Sequence, residues 1–129
     1  MSSAPPISHL TTHLGFWLRH VSNHVSHAFA AKLAAKGVTV AEWVMMRSLY
    51  GRAAMPPSHL AADMGMTRGA ITKLADRLIA KSLIVRKASG DDGRAQTLAL
   101  TPQGTKLVPE LAGIADRNDA EFFDYLSAV

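Results

Sequence analysis

Three basic side chains recur along one short stretch, residues 58–78, which reads SHLAADMGMTRGAITKLADRL. On a helical wheel, Arg68, Lys73 and Arg77 fall on one half, and apolar residues fill the other half. A helix with such a face fits the major groove of DNA, which Thr67 and Arg68 at its N-terminus would enter first. The alternative is an ordinary solvated face, which any surface helix carries.

The spacing of small and apolar residues in the same stretch is that of a helix-turn-helix. Ala61 is a small residue where two helices would cross, and Gly65 tolerates the positive φ of the turn. We therefore predict a short helix capped by Ser58, and a second helix capped by Thr67 that ends near Lys81. The residues that would face inward are Leu60, Met64, Met66, Ile71, Leu74 and Leu78.

Two apolar segments after the second helix, LIVRK and QTLAL, are typical of β-strands. The residues between them, ASGDDGRA, are typical of a turn, so the pattern predicts an antiparallel ribbon with an exposed tip. Arg86 and Lys87 end the first strand, where we predict that Arg86 contacts DNA, and Arg94 lies near the tip beside Asp92. An arginine there could enter a narrow minor groove, and the aspartate could hold it extended. An ordinary surface hairpin is the alternative.

Five of the six histidines lie near the start of the chain and share one narrow arc of a helical wheel. Neighbours one helical turn apart, such as His20 and His24, could share a metal ion. A straight stripe spreads the ligands out, however, and the segment has neither cysteine nor acid, so we predict no metal site. The open alternatives are a pH-sensitive dimer or ligand surface and the polar flank of an interface helix. The five are His9, His13, His20, His24 and His27.

Length and composition indicate the number of domains and restrict the class of protein. With 129 residues and 48% apolar composition, the chain fits one domain, 1–129, with a real core. The net charge is +4, and the excess lies in residues 47–106, where ten lysines and arginines face four acids. The chain lacks cysteine, a membrane-length apolar run and a secretory leader pattern, which favours the cytoplasm. We find no nucleophile–base constellation or phosphate-binding glycine loop, and therefore predict neither an enzyme nor a cofactor.

Local signals predict two helices before the helix-turn-helix. Helical periodicity runs over about residues 9–35, and Gly37 ends this first helix. The residues that recur at steps of three and four, and so predict one apolar face, are Leu10, Leu14, Trp17, Val21, Val25 and Ala28. Thr39 and Glu42 have the spacing of a capping box, which starts the next helix. A glycine and two prolines in YGRAAMPP end that second helix.

A last helix is predicted to begin at Thr101, with Pro102 in its first turn. Pro109 should kink this helix, because its ring removes one backbone donor. The predicted fold is therefore mainly α with a two-stranded β-wing, an α+β winged helix-turn-helix flanked by further helices.

The segment HLAADMGMTRGAITKLADRLIAKSLIVRKASGDDGRAQTLALTPQGTKL resembles the winged helix-turn-helix of MarR-type transcription regulators. The specific match covers about residues 39–107 and includes LTPQG, which is similar to the family's Leu-Thr-x-x-Gly helix start. The resemblance implies that Asp92 and Arg94 match the acid and second arginine of the family's wing, whereas Gly93 stands where the first arginine often is. The positions that it implies for DNA contact are Thr67, Arg68, Thr72, Lys73 and Arg77 in the second helix, and Ser58 and His59 before it.

The resemblance further implies that the protein is a homodimer that binds a pseudo-palindromic operator in double-stranded DNA. Residues 39–100 would be its DNA-binding region. Dimerisation helices would span 9–36 and 101–129. Release of DNA by a small aromatic or anionic effector is also implied, and Trp17, His20, Trp43 and Met46 are the candidate pocket residues. The alternatives are a winged-helix protein-interaction module and a metal- or pH-responsive regulator that uses the histidine stripe.

Overall fold

In residues 4–89 and 95–126, which the computed structural model describes, five α-helices and two β-strands follow a single turn of 3-10 helix at Leu10–Thr12. The order confirms the predicted mainly α fold with a two-stranded wing. Asp92 and Arg94 lie outside the described residues. The helices are α1 (Leu14–Ala34), α2 (Val40–Leu49), α3 (Pro57–Met64), α4 (Arg68–Ala80) and α5 (Pro102–Phe123), and the strands β1 (Ile84–Ser89) and β2 (Ala95–Leu100) lie between α4 and α5.

Threonine side chains cap three of the helices, as the sequence predicts. Thr39 accepts a hydrogen bond from the backbone N–H of Glu42 at 3.1 Å, and the Glu42 carboxylate accepts one from Thr39 N–H at 2.8 Å, which completes the capping box. Thr67 caps α4 and Thr101 caps α5 in the same way, at 3.1 and 3.0 Å. Gly65 has φ +64° at the end of α3, the conformation predicted for the turn.

Two predicted helix starts are wrong. The first helix does not begin at His9, because His13 is extended (φ −95°, ψ 124°) and α1 starts after it at Leu14. The Trp17 indole donates to the carbonyl of Thr11 at 2.8 Å, which secures the preceding turn against α1. Ser58 does not cap α3, since Pro56 takes the cap position and Ser58 lies inside the first turn.

Prolines account for the start of α3 and leave α5 unbroken. Pro57 is the first residue of α3, a position where the fixed φ of proline suits a helix and its missing N–H is not needed. Pro109 lies inside α5, which continues from Pro102 to Phe123 without a break. The neighbouring Val108 and Leu111 are buried, so packing holds the turns on either side of Pro109 together.

The wing is an antiparallel pair of strands anchored at its base. Ile84 pairs with Leu100, and the register continues to Ser89 and Ala95. Leu98 also exchanges two backbone hydrogen bonds, of 2.9 and 2.7 Å, with Met55 in the segment before α3. The wing therefore has backbone attachments to the helix-turn-helix as well as buried side chains.

The start of α5 packs unusually closely on the chain between α4 and β1. A Cβ atom at Gly104 would lie 2.1 Å from the carbonyl oxygen of Leu83. Thr101 adds a hydrogen bond from its hydroxyl to the carbonyl of Ser82, at 2.7 Å. Only glycine allows this approach, which fixes α5 against the end of the DNA-binding region.

One continuous core links α2, α3, α4, the wing and the first half of α5, whereas α1 contributes to it mainly through its last turns. Leu33 is the buried residue of α1. The apolar face predicted for its first half is largely exposed, with Leu14 at 73% and Val21 at 46%, and the neighbouring Leu18 is 63% exposed. No helix in the described residues combines the length and apolar character needed to cross a membrane.

Candidate nucleic-acid interface

The fourth helix has the two faces that its sequence predicts. Its buried side consists of Ile71, Leu74, Ala75 and Leu78. The opposite side is exposed and carries Arg68, Thr72, Lys73, Asp76 and Arg77. Within the described residues, Arg68, Lys73 and Arg77 form no ion pair with an acid, so these cations are available to a polyanion.

The first turns of α3 and α4 meet at the surface. Pro57 and Ser58 from α3 line a shallow depression together with Arg68 and Thr72 from α4. This arrangement brings two helix N-termini to one place, where backbone N–H groups favour an anion such as a phosphate. The Thr67 hydroxyl is already engaged as the cap of α4, so its side chain positions the helix.

His59 lies beside this depression but faces an acid. Its Nε2 is 3.8 Å from Asp63, one helical turn later in α3. Asp63 also pairs with Arg52 at 3.4 Å. Asp63 therefore faces two basic groups, which reduces its repulsion of a phosphate near His59.

Arg86 on β1 pairs with Asp76, the acid on the exposed side of α4. Arg86 and Gln96 from the wing line a second depression with Thr72 of α4. The ion pair therefore directs the Asp76 carboxylate towards the wing and links the wing to α4. Sequence reasoning assigned Arg86 to DNA but did not find this partner, because the pairing depends on how β1 folds back along α4.

An ion pair between a half-exposed lysine and a buried carboxylate fixes the other end of α4. Lys81, the residue after α4, donates to the Glu42 carboxylate and to the carbonyl of Gly37, both at 2.8 Å. Glu42 is fully buried. Burial alone would raise the pKa of Glu42, but the hydrogen bonds from Lys81 and Thr39 and the charge of Lys81 outweigh it, so this pKa is lowered from its usual value. Lys81 thus joins α4 to the turn between α1 and α2.

The four residues of the predicted effector pocket lie on two helices. Trp17 and His20 are neighbours on α1, with ring centroids 5.8 Å apart. Trp43 and Met46 lie on α2, where Met46 is fully buried and Trp43 packs against the core. A different cavity opens between α1 and α5, and its lining consists of Val25, Ser26, Phe29, Ala115, Asn118 and Asp119.

Comparisons with known proteins agree with this geometry. The sequence profile of the MarR family matches residues 36–95. A candidate transcriptional regulatory protein for the hcr operon of Thauera aromatica is 31% identical over 115 residues, which cover 88% of this chain and 69% of that protein. The chain belongs to the MarR family. It is therefore a winged-helix transcription regulator and not an enzyme.

Solved MarR-type structures share the fold. CouR from Rhodococcus jostii RHA1, in a structure bound to p-coumaroyl-CoA, superposes with a TM-score of 0.79 at 24% identity, and the match covers 94% of this chain and 85% of CouR. MepR of Staphylococcus aureus, in complex with DNA, has a TM-score of 0.78 at 22% identity, with 89% and 85% covered. At these identities the likeness concerns the fold.

Proposed function

We propose that this MarR-family chain is a repressor that binds a pseudo-palindromic operator as a homodimer and leaves it when a small-molecule effector binds. The proposal depends on one observation: Arg68 of α4, the first turn of α3 and Arg86 of the wing line two adjoining depressions that share Pro57 and Thr72. A protein-interaction module would need an apolar or acidic face at α4, and this face is basic.

The side chains of α4 would enter the major groove. Arg68 and Thr72 lie in its first two turns, where a recognition helix approaches base edges, and both are exposed. Lys73 and Arg77 lie farther round the helix and are suited to phosphate contacts. Ser58 and His59 in the first turn of α3 would hold the adjacent phosphates.

The wing would extend the contact into the minor groove. Arg94, supported by Asp92, would make that contact, although both residues lie outside the described part of the chain. Arg86 would act indirectly, because its ion pair with Asp76 sets how the wing stands against α4. We therefore assign Arg86 a positioning role beside the direct contacts.

The exposed apolar face of α1 supports a homodimer. Leu14, Leu18 and Val21 are between 46% and 73% exposed, and Phe123 of α5, which lines one depression with Leu18 and Val21, is 37% exposed. Large exposed apolar side chains on neighbouring elements mark a surface that another protein covers. A second copy, with contacts from regions 9–36 and 101–129, would bury both sets and present two α4 helices to two half-sites.

The effector belongs to the small aromatic or anionic class. The acyl-CoA bound to CouR is an example of a ligand on this fold. Trp17, His20, Trp43 and Met46 remain the predicted pocket residues, and Trp17 and His20 already form an exposed aromatic edge. Calorimetry with salicylate-like compounds tests this part, since no heat and no change in operator affinity would contradict it.

Fluorescence anisotropy tests the DNA-binding part. The full chain is titrated with a duplex from its own promoter and with a scrambled duplex, over a series of salt concentrations. We expect tighter binding to the promoter and an affinity that falls steeply with salt, because phosphate contacts release counterions. No binding to either duplex at low salt would contradict the proposal and favour the protein-interaction alternative.

A further inference from the structure

The histidine stripe divides into two parts in the structure. His9 precedes the 3-10 turn and His13, in an extended conformation, is the residue before α1, so neither has helical geometry. His20, His24 and His27 lie inside α1. The regular spacing of the five histidines in the sequence therefore overstates how many of them share one helical face.

His20 and His24 form a close pair on the exposed surface of α1. They are one helical turn apart, and their ring centroids are 4.8 Å apart with the ring planes at 70°. Two histidines at this spacing on one helix face can bind a single metal ion. The pair is exposed along its length, so a hydrated ion can reach it.

Aromatic neighbours limit the orientations of the His20 ring. The ring of Phe16 stacks on it at 6.1 Å with planes 13° apart, and the ring of Trp17 meets it edge-on at 5.8 Å. A ring held in this way loses less rotational freedom when it binds an ion. Trp17 also lies near enough to report on any ion bound at His20.

The stripe as a whole is too spread out for a site of three or four protein ligands, as its sequence predicts, but we propose that His20 and His24 alone chelate a borderline divalent transition metal, such as Zn²⁺, Cu²⁺ or Ni²⁺. Imidazole nitrogen suits these ions. α1 has no aspartate or glutamate, and Arg19 is the charged residue next to the pair, so Ca²⁺ and Mg²⁺, which prefer oxygen ligands, are not expected there.

The pair supplies two ligands of the ion. Within residues 4–89 and 95–126, no group of three or more metal-binding side chains comes together. The remaining positions are open to water or to the same pair on a second copy, since the neighbouring Val21 belongs to the exposed face of the proposed dimer. This inference rests on the proposed function only for its regulatory meaning, because metal binding itself needs neither DNA nor a dimer.

The test is a fluorescence titration of the full, tag-free chain with CuCl₂ or NiCl₂ in the absence of DNA. Trp43→Phe leaves Trp17 as the remaining tryptophan of the chain, so its quenching reports the ion near His20. We expect saturable quenching that Zn²⁺ reverses by competition. His20→Ala and His24→Ala should each weaken binding by about a hundredfold, because a chelate loses its second point of attachment.

A matched variant, His9→Ala with His13→Ala, removes two histidines from the non-helical segment before α1 and should leave the titration unchanged. His27→Ala should also leave it unchanged. Quenching that does not saturate, or that is the same with and without His20 and His24, would overturn the proposal. Equal loss in the His9/His13 variant would overturn it as well. Circular dichroism of every variant checks that α1 is still helical.

Discussion

The winged helix-turn-helix and the first half of α1 are both amphipathic in sequence but differ in what covers their apolar faces. In α4, Ile71 and Leu78 are completely buried by the chain itself. In α1, Leu14 and Leu18 occupy comparable positions on an apolar face and remain more than 60% exposed. The comparison shows that the apolar face of the first region is covered within one chain, whereas the second leaves large apolar side chains exposed, which is what the proposed homodimer would cover.

The largest expected effect concerns the free energy of unfolding and tests the close packing of α5 against the winged helix-turn-helix. Gly104→Ala should destabilise the fold by about 1–3 kcal/mol or more, because the new methyl group would overlap the backbone carbonyl of Leu83, which cannot move aside cheaply. Urea denaturation followed by circular dichroism measures the change.

A control for this substitution lies in the same helix. At Gly113 the nearest obstacle is the flexible end of Arg117, at 3.2 Å. Gly113→Ala should therefore be neutral or stabilise the fold by up to about 1 kcal/mol, since alanine favours a helix. Similar losses at Gly104 and Gly113 would contradict the close packing of α5 on Leu83.

A smaller effect is expected from the ion pair between Lys81 and Glu42 that fixes α4. Lys81→Met leaves the fully buried carboxylate of Glu42 without its cation and should cost about 1–3 kcal/mol at neutral pH. Since the Lys81 side chain is 40% exposed, water can partly replace it, and the lower end of this range is expected. Urea denaturation at several pH values measures the loss.

The pH dependence of that loss has a definite sign. The pKa of Glu42 is lowered in the folded protein, so its ion pair stabilises the fold above the pKa of the unfolded chain, and this contribution disappears as the pH falls through the folded pKa. The difference between the parent and Lys81→Met should therefore shrink in acid. Glu42→Gln, which removes the charge, is the matched control and should abolish this pH dependence. A difference that stays constant with pH would contradict the assignment.

The smallest expected effect on the folded chain concerns the exposed face of α1. Leu18→Glu should leave the helical content unchanged, because Leu18 is 63% exposed. It should raise the dissociation constant of the dimer by about tenfold or more, since an unpaired carboxylate buried between two copies costs over about 1.4 kcal/mol. Analytical ultracentrifugation measures the dissociation constant. Asn23→Glu adds the same charge to another face of α1, and equal effects of both changes would argue against a specific interface.

Features that depend on adjacent residues could be predicted from the sequence. The caps at Thr39, Thr67 and Thr101 were predicted correctly because each involves a backbone N–H only three residues away. The buried face of α4 followed from its helical period, and Gly65 from the positive φ of its turn.

Features that join distant parts of the chain could not be predicted in the same way. Lys81 meets Glu42 across 39 residues, and Arg86 meets Asp76 only because β1 folds back beside α4. Periodicity also placed the start of α1 at His9, since it could not detect the extended residue at His13. The same periodicity indicated an apolar face on α1 but not whether this chain or another covers it.

The salt dependence of operator binding tests the central claim most directly, namely that the exposed cations of α4 contact DNA. We would measure the slope of log affinity against log salt for the parent, for Arg77→Ala on α4 and for Arg117→Ala on α5, which removes the same charge from a different helix. If Arg77 contacts a phosphate, its loss should weaken binding and lower the slope by about 1, whereas loss of Arg117 should leave the slope unchanged. Equal slopes for the parent and Arg77→Ala, or equal changes in both variants, would contradict the account.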